Sequence, residues 1–197
     1  MKPPILPDLL QPGLKLVICG SAAGTVSARK GAYYAGPGNK FWPILAETGL
    51  TPRQLRPDEF PLLPSFEIGL TDLAKSAFGA DTAIPQGEYD PPGLMARIRA
   101  CRPAVLAFNG KKAAARFLGV STVGYGPATE IADFPPVFVL PSTSGAASGH
   151  WAPQWWFQLA LLVHRLASDQ AAASPGQTQT SAMPSPRTAI PPSSIAE

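Results

Sequence analysis

Three short, nearly unbroken apolar runs mark the chain: Lys15–Cys19, Ala104–Phe108 and Val137–Leu140. Each is rich in Val, Leu, Ile or Phe and is closed by Gly, Asn or Pro, the pattern of strands buried on both faces. Between them the apolar spacing becomes helical. Phe41, Ile44, Leu45 and Thr48 share one side of a helix over Lys40–Gly49, with the glycine as its stop. Thr51-Pro52 predicts a short helical turn through Leu55. Gly93–Cys101 places Leu94 and Ile98 inward, Lys111–Leu118 forms a short helix, and Trp151–Leu166 carries Trp155, Trp156, Leu159 and Val163 on one side. Thr129–Asp133 reads as an edge element. Strands alternating with helices predict the α/β class, a three-layer α/β/α sandwich with a small, mainly parallel central sheet.

In such sheets ligands sit beyond the carboxyl ends of the strands. Here those ends run into Gly20–Gly24, Asn109-Gly110 and Pro141–Gly149, so three polar, small-residue loops converge on one edge. The flanks differ in kind. Residues 1–14 form a proline-punctuated arm with little regular structure expected, Lys75–Pro92 reads as a long loop, and Asp169–Glu197 reads as a disordered tail of Ala, Ser, Pro, Gln and Thr. One folded unit is expected over 15–168.

Composition narrows the chemistry. Hydrophobic residues make up 45% of the 197, enough for a full core, and the net charge of +3 allows a polyanionic partner without demanding one. The two cysteines, Cys19 and Cys101, lie in apolar surroundings far apart, so no zinc or iron–sulfur ligand set is expected. No cofactor is called for. No run is long and apolar enough to cross a bilayer, and a cytoplasmic location with no membrane partner is expected. Neither Ser21 nor Ser144 lies in a G-x-S-x-G elbow. The Gly20–Ser27 stretch also lacks the lysine of a phosphate-binding P-loop.

The richest segment is Leu16–Trp42. A strand ends in Gly20-Ser21-Ala22-Ala23-Gly24, whose side chains leave the backbone amides open to an anion or a developing negative charge. Arg29-Lys30, Tyr33-Tyr34, a Gly-Pro-Gly turn and Asn39-Lys40-Phe41-Trp42 follow. Further on, polar Thr71-Asp72 interrupts an apolar run. Leu140–Trp151 is a second stretch of nearly all small or hydroxylic residues, leaving a strand and entering a helix.

These motifs, in this order over roughly residues 15–166, resemble the uracil-DNA glycosylase superfamily. Gly20–Gly24, the Tyr33–Trp42 segment, Gly69-Leu70-Thr71-Asp72-Leu73 and Leu140–Ser144 are similar to the mismatch-specific uracil/thymine branch. The aromatic segment and Phe108-Asn109-Gly110-Lys111 look closer to the hypoxanthine branch. The resemblance implies a monofunctional DNA glycosylase that hydrolyses the N-glycosidic bond of uracil in DNA, acts as a monomer and releases free uracil. The alternatives are excision of hypoxanthine or another deaminated base, and a catalytically inactive module that binds damaged DNA or a nucleobase.

One departure stands out. Where the mismatch-specific branch carries the Asn that positions the attacking water, this chain has Ala22, and Ser142 replaces the Asn or His of the second motif. The resemblance then shifts the catalytic polar role to Asn39, with the backbone of Ser21, Ala22 and Ala23 cushioning the departing base. Gly20, Tyr34, Asp72, Asn39 and Ser142 are the implied base contacts: Tyr34 stacking, the Asp72 carboxylate accepting the N3–H of uracil. Asn39 also suits a helix cap, and Asp72 a turn cap. Arg29, Lys30, Lys40, Lys111 and His150 are implied DNA contacts. Ser142, Thr143, Ser144, Gly145, Ala146 and Ala147 are expected to press into the groove behind the extruded nucleotide, without a bulky wedge among them.

Overall fold

The computed structural model describes residues 2–173, with the side chains of residues 148, 150, 167 and 169–173 outside that description. Its sheet has five strands rather than the three apolar runs alone: β1 (Leu16–Ala23), β2 (Ile68–Phe78), β3 (Val105–Asn109), β4 (Gly126–Pro127) and β5 (Val137–Leu140). Their order is β2-β1-β3-β5-β4. All neighbours are parallel except β4 on β5. The two added strands carry weak sequence signals. β2 is interrupted by Thr71-Asp72, and β4 is only two residues long at Gly126–Pro127, ahead of the expected 129–133 edge.

Helices α1 (Thr25–Lys30), α2 (Phe41–Glu47), α3 (Pro91–Cys101), α4 (Lys111–Leu118) and α5 (Gln154–Ala173) complete the three layers. Alternate residues of β1 divide the core. Leu16 and Ile18 pack with Phe41, Ile44, Leu45, Trp156 and Leu159 of α2 and α5. Val17 and Cys19 pack with Leu94 and Ile98 of α3 and Ala113, Ala114 and Phe117 of α4. This strict alternation is the period of two that a strand imposes.

Local chemistry sets the helix ends. The Asp90 carboxylate accepts from the Gly93 amide at 2.9 Å and caps α3. Gly119 closes α4 in the left-handed conformation at φ 68. The helical turn expected over Thr51–Leu55 does not form; the Thr51 hydroxyl instead donates to the Arg53 carbonyl, and a 3-10 stretch follows at Pro57–Phe66. Helix α5 runs on to Ala173, past the expected start of the tail at 169. The remainder of that tail lies outside the described residues.

The N-terminal arm is more ordered than its prolines suggest. Leu9 and Leu70 exchange backbone bonds of 2.9 and 3.2 Å, the Ile5 amide donates to the Lys75 carbonyl at 2.8 Å, and Leu6 is buried. The arm thereby covers the outer edge of β2, which would otherwise be an open ladder. Gly69 permits the approach, since a Cβ there would stand 2.4 Å from the Leu9 carbonyl oxygen.

Candidate functional site

A cavity of about 640 Å³ opens at the carboxyl end of the sheet, and the three predicted loops do converge on it: residues 20–27, Asn109 and residues 142–147 all line it. Tyr34, Asn39, Asp72 and residues 79–82 complete the wall.

The end of β1 differs from expectation. Gly20–Ala23 is not a turn but a continuation of the strand. Pairing with β3 stops at Cys19↔Phe108, whereas pairing with β2 continues through Gly20↔Asp72 and Ala22↔Ala74 to Ala23↔Phe78. The cause is Gly110, whose φ of 123 turns the chain out of β3 into α4. Backbone amides alternate between the two edges of a strand. Beyond Cys19 the β2 edge stays in the ladder, while no strand pairs along the β3 edge, and residues 20–23 line the cavity.

Gly20 is the tightest point of the wall. A Cβ there would lie 2.5 Å from Asp72 Oδ1 and 3.4 Å from the Tyr34 hydroxyl. Asp72 is 3% exposed, and among the described residues no donor sits on its carboxyl group. Burial pushes its pKa up to about 7; the Lys75 charge opposes this and Asp8 reinforces it. Burial therefore holds this carboxyl well above the ordinary carboxylate range, unlike the fixed carboxylate the sequence suggests. Behind it, Asp8 of the arm accepts from the Thr71 hydroxyl at 2.7 Å and pairs with Lys75 Nζ at 2.7 Å and Arg97 Nε at 3.4 Å. Lys75 also donates to the Leu6 carbonyl at 2.8 Å. Asp8 thus pairs with both cations whose charges favour ionised Asp72.

Tyr34 has φ 53, a left-handed conformation uncommon outside glycine. Its ring lies on Phe41 with centroids 3.8 Å apart and planes 23° from parallel. Its buried hydroxyl has no hydrogen-bond partner among the described residues. Such a group costs about 1–3 kcal/mol. Burial, then the Asp72 charge, pushes the phenol well up, so it stays a neutral donor; the nearby Asn109 amide opposes that shift. Tyr33 belongs to the core, with its hydroxyl donating to the Pro7 carbonyl at 3.1 Å.

Asn39 stands just ahead of the Lys40 N-cap of α2 and lines the cavity. Its Oδ1 accepts from the Phe41 amide at 3.0 Å, which turns Nδ2, a donor, away from the helix.

The second small-residue loop is held by a residue that sequence reasoning left out of the site. Asn109 Nδ2 donates to Thr143 Oγ1 at 2.8 Å, while the Thr143 amide donates to Asn109 Oδ1 at 3.0 Å. Thr143 is completely buried. Its expected place on the DNA face is corrected: its side chain clamps the loop to β3. Its carbonyl accepts from the Lys40 amide at 2.9 Å, and Gly145 packs on the Pro37 carbonyl, 3.2 Å from where a Cβ would be. Ser142 Oγ accepts from the Ser144 amide at 3.3 Å. Ser144, Gly145 and Ala146 are exposed and Ala147 is half-buried. The sequence marks Asn109 as a convergent strand end and as part of the Phe108-Asn109-Gly110-Lys111 motif, but nothing in it announces the clamp on Thr143.

The predicted cations do not line the cavity. Arg29 and Lys30 are exposed in the last turn of α1. Lys40 Nζ lies 5.4 Å from the Trp151 ring centroid and Lys111 Nζ 4.1 Å from that of Tyr125. The His150 side chain lies outside the described residues. Among the described residues no cluster of His, Cys, Asp or Glu could hold a metal ion, and no helix is long and apolar enough to cross a membrane.

A mainly parallel α/β sandwich with a cavity at its strand ends places the candidate site where open α/β sheets take their ligands. Residues 7–163 match the family model described as the uracil DNA glycosylase superfamily, and the chain belongs to that superfamily. Membership makes it a DNA glycosylase by family and DNA its substrate class. Among solved structures, the chain is similar to a Methanosarcina acetivorans protein provisionally assigned as a uracil DNA glycosylase. The two are 23% identical, and the match covers 81% of this chain and 96% of that one at a TM-score of 0.55. That likeness supports the same fold.

Proposed function

We propose that the protein excises uracil from DNA by hydrolysing the N-glycosidic bond, without a lyase step, and leaves an abasic site. The observation that carries the reading is the cavity wall: a strand end with one open edge, facing an unpartnered phenol, the Asn39 amide and a buried carboxyl. An extruded uracil enters beside Gly20, with the free face of Tyr34 against its ring. The bond breaks with positive charge on the sugar and negative charge on the base. Open amides of the Ser21–Ala23 segment, Asn39 Nδ2 and the Tyr34 hydroxyl are donors for that charge. In a site closed to water such donors are each worth about 2.7–4 kcal/mol. None of them needs the side chain that Ala22 lacks.

Asp72 reads the base edge. In its neutral form it accepts N3–H through one oxygen and donates to the adjacent carbonyl through the other. That is the pairing an Asn side chain makes. In its ionised form it still accepts N3–H, but its charge opposes the charge gathering on the base. Burial thus favours the form that suits departure, with Asp8 reinforcing it against the Lys75 and Arg97 charges. Ser142 lines the far wall, and exposed Arg29, Lys30 and Lys111 with half-buried Lys40 serve the DNA backbone as cations.

A second reading has a specific basis. The N1–H and O6 of hypoxanthine present the same lactam edge to Asp72, and Asn39 stands in the segment that resembles the hypoxanthine branch. Duplex oligonucleotides carrying uracil, a thymine mismatch, hypoxanthine or xanthine, scored for alkali-labile scission, test both. Scission of the uracil strand is expected. Scission of the hypoxanthine strand alone would replace the first reading with the second, and retarded mobility without scission of any strand would leave a binding module.

A further inference from the structure

The rim of the cavity carries one large apolar side chain that neither core nor base pocket uses. Phe78, the last residue of β2, is 53% exposed. The other large hydrophobics exposed to a similar degree are Leu62, Val120, Phe157 and Leu161. Leu62 is on the 3-10 stretch, Val120 follows α4, and Phe157 and Leu161 are on α5. Phe78 alone among them sits between two segments of the cavity wall. It pairs in register with Ala23 on one side and leads directly into residues 79–82 on the other.

The backbone fixes this placement. After Ala22↔Ala74 the ladder skips to Ala23↔Phe78, so Lys75, Ser76 and Ala77 lie outside the pairing. Irregularities of this kind re-aim a strand end and are common beside active sites. The Gly79 amide then donates to the Ala23 carbonyl at 2.8 Å, and Gly79 turns away at φ 133. Phe78 is therefore an aromatic ring on a pinned strand end at the mouth of the cavity. The second loop, where groove contact is expected, offers no side chain larger than the buried Thr143 across residues 142–147.

We propose that Phe78 is the wedge of this enzyme: its ring enters the DNA base stack beside the extruded nucleotide and takes up the stacking surface that nucleotide leaves. The partner surface is a pair of base faces, which apolar side chains can part and on which aromatic rings stack with little regard to sequence. The inference rests on the DNA glycosylase reading, not on uracil as the excised base. It also explains how a loop without a bulky side chain suffices on the other side of the mouth.

Binding to DNA, measured without any excision, tests it. Fluorescence anisotropy would compare the wild-type chain, Phe78→Ala and Phe78→Trp on two labelled duplexes, one intact and one with a tetrahydrofuran abasic-site analogue. Phe78→Ala is expected to bind the abasic-analogue duplex about ten- to a hundredfold more weakly and the intact duplex unchanged, with Phe78→Trp close to wild type. Equal affinities for wild type and Phe78→Ala on the abasic-analogue duplex would overturn the proposal. So would an equal loss on both duplexes, which would make Phe78 a general surface contact. Circular dichroism verifies folding, which a half-exposed position should not disturb. A chain that cuts no uracil strand yet shows the selective loss refutes the excision reading alone; one that cuts uracil without it refutes the wedge alone.

Discussion

The two small-residue stretches look alike on paper and behave differently in the fold. Gly20–Ala23 is rigid strand, bonded along one edge to β2 and open along the other because β3 has ended. Residues 142–147 leave β5 as an irregular loop and enter a 3-10 turn, secured by the Asn109–Thr143 pair and by contact with the Pro37 turn. On the proposed reading, smallness in the first stretch admits a ligand to the backbone. In the second it lets a loop lie flat on the segment that carries Tyr34 and Asn39. On that reading the same composition serves chemistry in one place and assembly in the other, and substitutions should separate the two.

The largest effect is expected at Asn39. Asn39→Ala removes the Nδ2 donor, and single-turnover excision should fall about 10²–10³-fold. The lost acceptor for the Phe41 amide should lower stability by only about 1 kcal/mol, readable by urea denaturation. Full activity would show that the catalytic donor lies elsewhere. Gly20→Ala comes next: its methyl group would meet Asp72 Oδ1, so the pocket narrows and excision should drop at least about tenfold with the fold intact. A matching substitution in the other stretch, Ala146→Ser, should leave excision within about twofold of wild type, as surface changes usually do.

Asn109→Ala should behave as a loss of assembly. Leaving buried Thr143 groups unpaired costs about 1–3 kcal/mol, and excision should weaken mainly through KM because the loop is loosened. A fall in kcat at constant KM would move Asn109 into the chemistry.

Asp72 supplies the pH test. Burial raises its folded pKa to about 7, above the ordinary carboxylate value of 3.8, so the folded chain binds the proton more tightly than the unfolded one. Stability should therefore decrease as pH rises from about 4 to 7 and level off above. Asp72→Asn removes that dependence and should raise stability above pH 7, by about 4 kcal/mol at most. In wild type, excision should decline as pH rises through about 7. Asp72→Asn, keeping the donor–acceptor pair without the charge, should lose that decline. The smallest effect belongs to Arg29→Ala and Lys30→Ala, each expected to reduce the slope of log affinity against log salt by about 1 if it contacts a phosphate.

Much of this was legible beforehand because it depends on local pattern. Val137–Leu140 and Lys111–Leu118 fall where periodicity and glycine placed them, and the convergence of three strand ends follows from parallel topology. What escaped prediction depends on partners distant in sequence. Nothing near Asp8 announces that it will meet Thr71, Lys75 and Arg97, so the arm reads as irregular. Likewise β1 extends to Ala23 only because β2, itself obscured by Thr71-Asp72, continues beside it. Phe78 was hidden inside an apparent loop for the same reason.

The central claim is that an extruded base lies against the open edge of β1. Amide chemical shifts of the chain, recorded with a duplex containing a 2′-fluoro deoxyuridine analogue that resists hydrolysis, test it directly. The largest changes should fall on Gly20–Ala23, Tyr34 and the Asn39 side-chain amide, and be absent with the matching cytosine duplex. Changes confined to α1 and other exposed basic segments, with the strand end unmoved, would contradict it.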